Sequence, residues 1–138
     1  MARFTAAVGA RVQVVGDDFL VTNAGLVEQA ARGQACNAVL IKPNQAGTVT
    51  ETRAAFEAGQ RGGFGTVISA RSGESEDVSI VHLCVGWDAG QLKVGSFARS
   101  ERMAKWNEGL RIEQALGGAA RFAGREVLPG PSLPRPRA

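Results

Sequence analysis

Four short, mostly apolar runs in this chain each end on a charged side chain, and the charged positions recur at a nearly constant interval. Residues 12–15 lead into Asp17, residues 38–41 into Lys42, residues 66–69 into Arg71, and the brief Gln91-Leu92 stretch into Lys93. The intervals of 25, 29 and 22 residues each accommodate one strand, one helix and their turns, so the period predicts repeated βα units. Strands that all run the same way need such crossovers between them. The expected fold class is therefore α/β, with four functional groups gathered at one edge of a parallel sheet.

Length limits how far the repeat can go. A complete (β/α)8 barrel takes about 250 residues, and this chain has 138. The expectation is a partial (β/α) TIM-type barrel of about four βα units. In such barrels the chemistry sits at the C-terminal ends of the strands, where Asp17, Lys42, Arg71 and Lys93 fall. Residues 1–127 are read as this half barrel. Residues 128–138 are read as a Pro/Arg-rich tail, with Pro129, Pro131, Pro134 and Pro136 among Arg135 and Arg137, expected to be extended and disordered.

Local signals place the helices. Residues 4–10 read as a helix closed by Gly9, and Asn23 or Thr22 can cap a helix over 25–32 that Gly33 stops. After the second strand, Asn44-Gln45-Ala46-Gly47 reads as a loop. Thr48 or Thr50 then opens a helix through Ala58, with Gly59 beyond it. Ser75 is the expected cap of an apolar helix over 78–87, with Glu76 and Asp77 suited to its positive end. Ser100 precedes a helix over 101–116 that puts Met103, Trp106 and Leu110 on one stripe.

The net charge of +3, from 16 basic and 13 acidic residues, is too mild for a nucleic-acid signature, and no basic helix or aromatic-basic platform is present. No apolar stretch approaches the roughly 20 residues of a membrane span, and no signal-peptide core is evident. A cytoplasmic location is the expectation. Cys36 and Cys84 lack CxxC or zinc spacing and read as small core residues. His82 has no partner histidine nearby and reads as a packed or surface imidazole.

The strand ends carry the chemistry. Asp17 and Asp18 are adjacent, so their side chains diverge and at most one points easily into a central site. Such a carboxylate is either a ligand to a hard cation such as Mg²⁺ or a helix cap or surface acid. Lys42 sits between an apolar strand and Pro43; a lysine that is poorly hydrated or close to another cation has a lowered pKa and serves as a base. Lys93 is placed to be that second cation. Arg71 and Ser72 precede Gly73, just upstream of a helix start, and guanidinium, hydroxyl and backbone N–H groups together can cradle a phosphate. The alternative there is an ordinary capped loop with Arg71 paired to Glu74 or Glu76.

These residues also carry a family resemblance. Val15-Gly16-Asp17-Asp18 with Val21-Thr22-Asn23, Leu40-Ile41-Lys42-Pro43-Asn44-Gln45-Ala46-Gly47-Thr48 and Ser69-Ala70-Arg71-Ser72-Gly73-Glu74-Ser75-Glu76-Asp77 resemble the C-terminal half of the barrel of enolase (phosphopyruvate hydratase). So do Gly90-Gln91-Leu92-Lys93, Ala98-Arg99-Ser100-Glu101-Arg102, Leu110-Arg111-Ile112-Glu113 and Phe122-Ala123-Gly124-Arg125. The resemblance runs up to the proline-rich tail. It implies a carbon–oxygen lyase of glycolysis that interconverts 2-phosphoglycerate and phosphoenolpyruvate. By it, Asp17 is similar to one of three Mg²⁺-binding carboxylates and Lys42 to the base that removes the proton next to the substrate carboxylate. Arg71 and Ser72 resemble phosphate contacts, and Lys93 the residue that holds the substrate carboxylate and its enolised form. The resemblance thus implies a Lys base working with Mg²⁺ on an ene-diolate, the known pattern of enolase-superfamily chemistry.

Two departures shape the expectation. Ala70 stands where the family has a histidine, and a methyl group neither donates a hydrogen bond nor carries charge. An altered substrate, such as a phosphonate or another phosphorylated acid, or a non-catalytic binding or interaction subunit, is the alternative reading. The family's other metal carboxylates and its acid for the departing hydroxyl belong upstream of residue 1. The chain alone is therefore expected not to complete the reaction, and to need a complementary N-terminal half or self-association.

Overall fold

The computed structural model describes residues 1–128; of the tail expected over residues 128–138, all but Leu128 lies outside the described residues. Four strands, β1 (Val15–Gly16), β2 (Ala38–Ile41), β3 (Gly65–Ser69) and β4 (Gln91–Lys93), form one parallel sheet in the order β1-β2-β3-β4. The sheet is not closed, and β1 and β4 are its edges. Between the strands run α2 (Ala24–Arg32), a single turn α3 (Pro43–Ala46), α4 (Val49–Arg61) and α5 (Ser79–Gly86). The first helix, α1 (Ala2–Val8), precedes β1, and α6 (Ser100–Leu116) follows β4. This is a partial (β/α) barrel.

Alternation along the strands divides the side chains between two faces. Val39, Ile41 and Ile68 are fully buried with Val27 and Ala30 of α2, Ala55, Phe56 and Ala58 of α4, and Ile80, Val81 and Cys84 of α5. Pairing of Leu40 with Val67, Val67 with Gln91 and Ser69 with Lys93 lines up the opposite face. Lys42 follows that face two residues beyond Leu40, so the register brings the strand ends to one rim.

Several local expectations are corrected. The first strand is not residues 12–15. It is confined to Val15–Gly16 because the Asn37 side chain occupies the backbone before it, accepting from Val14 N–H at 2.6 Å and donating to Gly9 O and Val12 O, both at 3.0 Å. The loop expected over Asn44-Gln45-Ala46-Gly47 is instead the turn α3, started by Pro43 at its first position and closed by Gly47. Gly59 does not end α4. The helix runs on to Arg61 because Gly59 is a packing contact, where a Cβ would lie 2.8 Å from Val39 Cγ1. Ser75 does not cap α5; Asp77 Oδ1 accepts from Ser79 N–H at 2.9 Å instead. In α6 the buried residue is Lys105, while Leu110 of the expected stripe is exposed.

Other signals fall where the sequence puts them. Asn23 Oδ1 caps α2 through Leu26 N–H at 3.1 Å, and Thr48 Oγ1 caps α4 through Glu51 N–H at 3.1 Å. Cys36 and Cys84 are buried free thiols. Among the described residues no helix is long and apolar enough to cross a membrane.

Candidate active site

Lys42 leaves the end of β2 as a buried lysine, 8% exposed. Its Nζ donates to Asp17 Oδ1 at 2.5 Å, so the ends of the first two strands meet in one ion pair. The Lys42 backbone is fixed as well. Its N–H donates to Thr22 Oγ1 at 3.0 Å, and the Thr22 hydroxyl donates to Gln45 Oε1 at 2.8 Å. Val21 and Thr22 both take left-handed backbone angles, with φ of 43° and 53°. Two β-branched residues adopt that region only where surrounding contacts over-determine it, and the hydroxyl relay from Thr22 to Lys42 is one such contact.

Asp17 and Lys93 border the same cleft of about 460 Å³, floored by Gln13, Val15, Leu40, Val67, Gln91 and Leu92. Lys93 is exposed at the end of β4. Its carbonyl accepts from Ala70 N–H at 2.9 Å, which extends the β3–β4 pairing into the following loop. Ala70 is 4% exposed and belongs to the apolar core.

Arg71 and Ser72 are exposed in the loop after β3 and do not line that cleft. The expected alternative, an ion pair of Arg71 with a neighbouring acid, is not what holds the loop. Glu74 Oε1 instead accepts from the Arg71 backbone N–H at 2.6 Å, which leaves the guanidinium without a hydrogen bond or ion pair among the described residues. Glu74 Oε1 also accepts from Asn44 Nδ2 at 2.9 Å. Glu74 thus holds Arg71 through its backbone and not as the expected ion pair, and the Asn44 contact is one the sequence reading missed. Its sequence signal is only the polar density of the two loops.

Asp17 offers a hard oxygen donor on a side chain that is 39% exposed, which fits it as one ligand of a divalent cation such as Mg²⁺. Among the described residues no cluster of three or more His, Cys, Asp or Glu assembles. Outside the rim, burial pushes the Cys84 thiol up to about 11 and raises Cys36 as well, which makes both poor nucleophiles. His82 Nε2 lies 3.0 Å from Glu108 Oε1 at the surface between α5 and α6.

A parallel βα sheet that brings a carboxylate, a buried lysine and a second lysine to the C-terminal ends of its strands defines a segment of a TIM-type barrel. Residues 1–129 match the family described as enolase, C-terminal TIM barrel domain. The chain belongs to that family. It is 53% identical over 124 residues to a protein named Enolase 1 from Desulfitobacterium hafniense (strain Y51), an alignment covering 90% of this chain and 28% of that relative. The chain thus spans a little over a quarter of the relative's length.

Proposed function

We propose that this chain carries part of the active site of an enolase-type lyase, which dehydrates 2-phosphoglycerate reversibly to phosphoenolpyruvate. The observation that carries the reading is the Asp17–Lys42 pair at 2.5 Å, with Lys93 on the same cleft as Asp17. Lys42 is the base for the proton next to the substrate carboxylate, and its fixed backbone and buried stem aim its amine. Lys93 holds that carboxylate and the negative charge that develops on it. Arg71 and Ser72 receive the phosphate, for which an unpaired guanidinium supplies a planar pair of donors.

Asp17 would be this chain's ligand to Mg²⁺, which when bound supplies positive charge against the enolised carboxylate. The remaining metal carboxylates, and the acid that protonates the departing hydroxyl, fall to a complementary N-terminal half. That half belongs to the same polypeptide or to a separate chain, or self-association takes its place. A cytoplasmic setting follows from the glycolytic substrate.

Ala70 favours a second reading. A buried methyl in place of the family's histidine removes a titratable group next to the phosphate loop, which suits a changed phosphorylated or phosphonate acid or a binding subunit. Phosphoenolpyruvate formation, followed by absorbance with Mg²⁺ and 2-phosphoglycerate, separates the two. Turnover by this chain mixed with an enolase N-terminal half, and not by either alone, is the expected result. A verified complex that leaves 2-phosphoglycerate untouched would overturn the lyase assignment and leave the second reading.

A further inference from the structure

Lys105 is the one lysine of α6, and it is 1% exposed. An ammonium group so far from water costs several kcal/mol unless its three donors are met. They are met: Nζ donates to Ser75 O at 2.8 Å and to Glu101 O at 3.1 Å, and lies 3.3 Å from Glu74 Oε2. The other oxygen of Glu74 receives the Arg71 N–H and the Asn44 amide. One carboxylate therefore joins three segments: the turn two residues past Lys42, the Arg71–Ser72 loop, and the helix that follows Lys93.

A well-packed Met or Leu would fill the Lys105 site without the desolvation cost, so stability alone does not account for a lysine there. What the ion provides is direction. It pins Glu74, and through Glu74 it fixes the backbone of Arg71 relative to the Lys42 turn. We propose that Glu74 and Lys105 are positioning residues for the anion site, forming a clasp that holds the Arg71–Ser72 loop in register with Lys42 and leaves the guanidinium free. This rests on the reading of Arg71 and Ser72 as phosphate contacts. The clasp touches no substrate; it acts through Arg71.

The test is titration of the folded chain with inorganic phosphate, followed by the backbone and arginine side-chain NMR signals of residues 71–73. In the native chain these signals move, and Arg71→Ala abolishes the movement. Glu74→Ala and Lys105→Met weaken phosphate binding fivefold or more while signals of β2 and α4 stay in place. Glu74→Gln, which keeps an oxygen for the Arg71 N–H, retains more affinity than Glu74→Ala. In an Arg71→Ala background, Glu74→Ala has no further effect. Should Lys105→Met fail to fold, the Glu74 variants carry the comparison, since Glu74 lies in a loop. Native affinity in Glu74→Ala would overturn the clasp and leave the phosphate reading standing. Absence of any phosphate response at residues 71–73 in the native chain would overturn that reading and the clasp's role with it.

Discussion

Replacing Asn37 with alanine is expected to destabilise the chain by about 2–4 kcal/mol. The Asn37 amide makes three hydrogen bonds to a single stretch of backbone, one from Val14 N–H and two to the carbonyls of Gly9 and Val12. Val14 is buried, so its N–H would lose its acceptor with no water to replace it, a loss of about 1–3 kcal/mol. The two carbonyls lie in turns near the surface and can turn to solvent, so each contributes at the low end of the usual net value, about 0.5 kcal/mol. The assay is urea unfolding followed by circular dichroism, together with exchange of the Val14 amide. With a slope of about 2 kcal/mol per molar urea, the midpoint falls by about 1–2 M. Asn37→Asp keeps an acceptor for Val14 and should lose less. A change below about 0.5 kcal/mol, with Val14 exchanging no faster than in the native chain, would refute the assignment of Asn37 as the fastener of β1.

Lys42→Met should lower turnover in the complemented enzyme by about 10²-fold or more, the range for loss of a general base, while thermal stability changes little because Asp17 is exposed enough to hydrate; near-native turnover would exclude Lys42 as the base. Gly59→Val should destabilise by about 2 kcal/mol or more, since even a Cβ there sits 2.8 Å from Val39 Cγ1 in the core, as denaturant unfolding will show. The pH dependence at Cys84 has a definite sign. Folding raises the thiol from its ordinary value to about 11, so the folded state keeps a proton that the unfolded state releases. Stability from this group is present below the unfolded pKa and falls as pH rises toward 11, by at most about 3 kcal/mol. Unfolding curves at pH 8 and pH 10.5 should therefore separate more for the native chain than for Cys84→Ala.

The βα organisation was legible because a period of strand, helix and turns leaves a regular mark, and β2, β3 and β4 begin and end within a residue or two of where that mark puts them. Asp17, Lys42 and Lys93 were visible for the same reason, as charges that terminate apolar runs. Boundaries set by single contacts were not visible. Gly59 reads as a helix stop in isolation and becomes a helix interior only against Val39. Asn37 shortens β1 from a position more than twenty residues away, and no local pattern announces it. Glu74 was visible only as a possible partner of the Arg71 side chain, and nothing local to a lysine between Met103 and Trp106 announces the three oxygens around its nitrogen. The resemblance to the family suggested roles for the rim residues. It did not reveal what holds them in place.

Each unit of this sheet is tied to the next by a polar contact beyond its strand end. Thr22 reaches the Lys42 backbone, Asn44 reaches Glu74, and Glu74 reaches Lys105. The joints run in series, so the placement of the last strand end relative to the first accumulates whatever error each joint admits. For recombination between relatives this sets a rule. A crossover within α2 splits the Thr22–Lys42 joint between two parents, and one within α4 splits Asn44–Glu74. Chimeras are then expected to assemble a coherent rim when both halves of the divided joint match, whatever the overall identity of the parents.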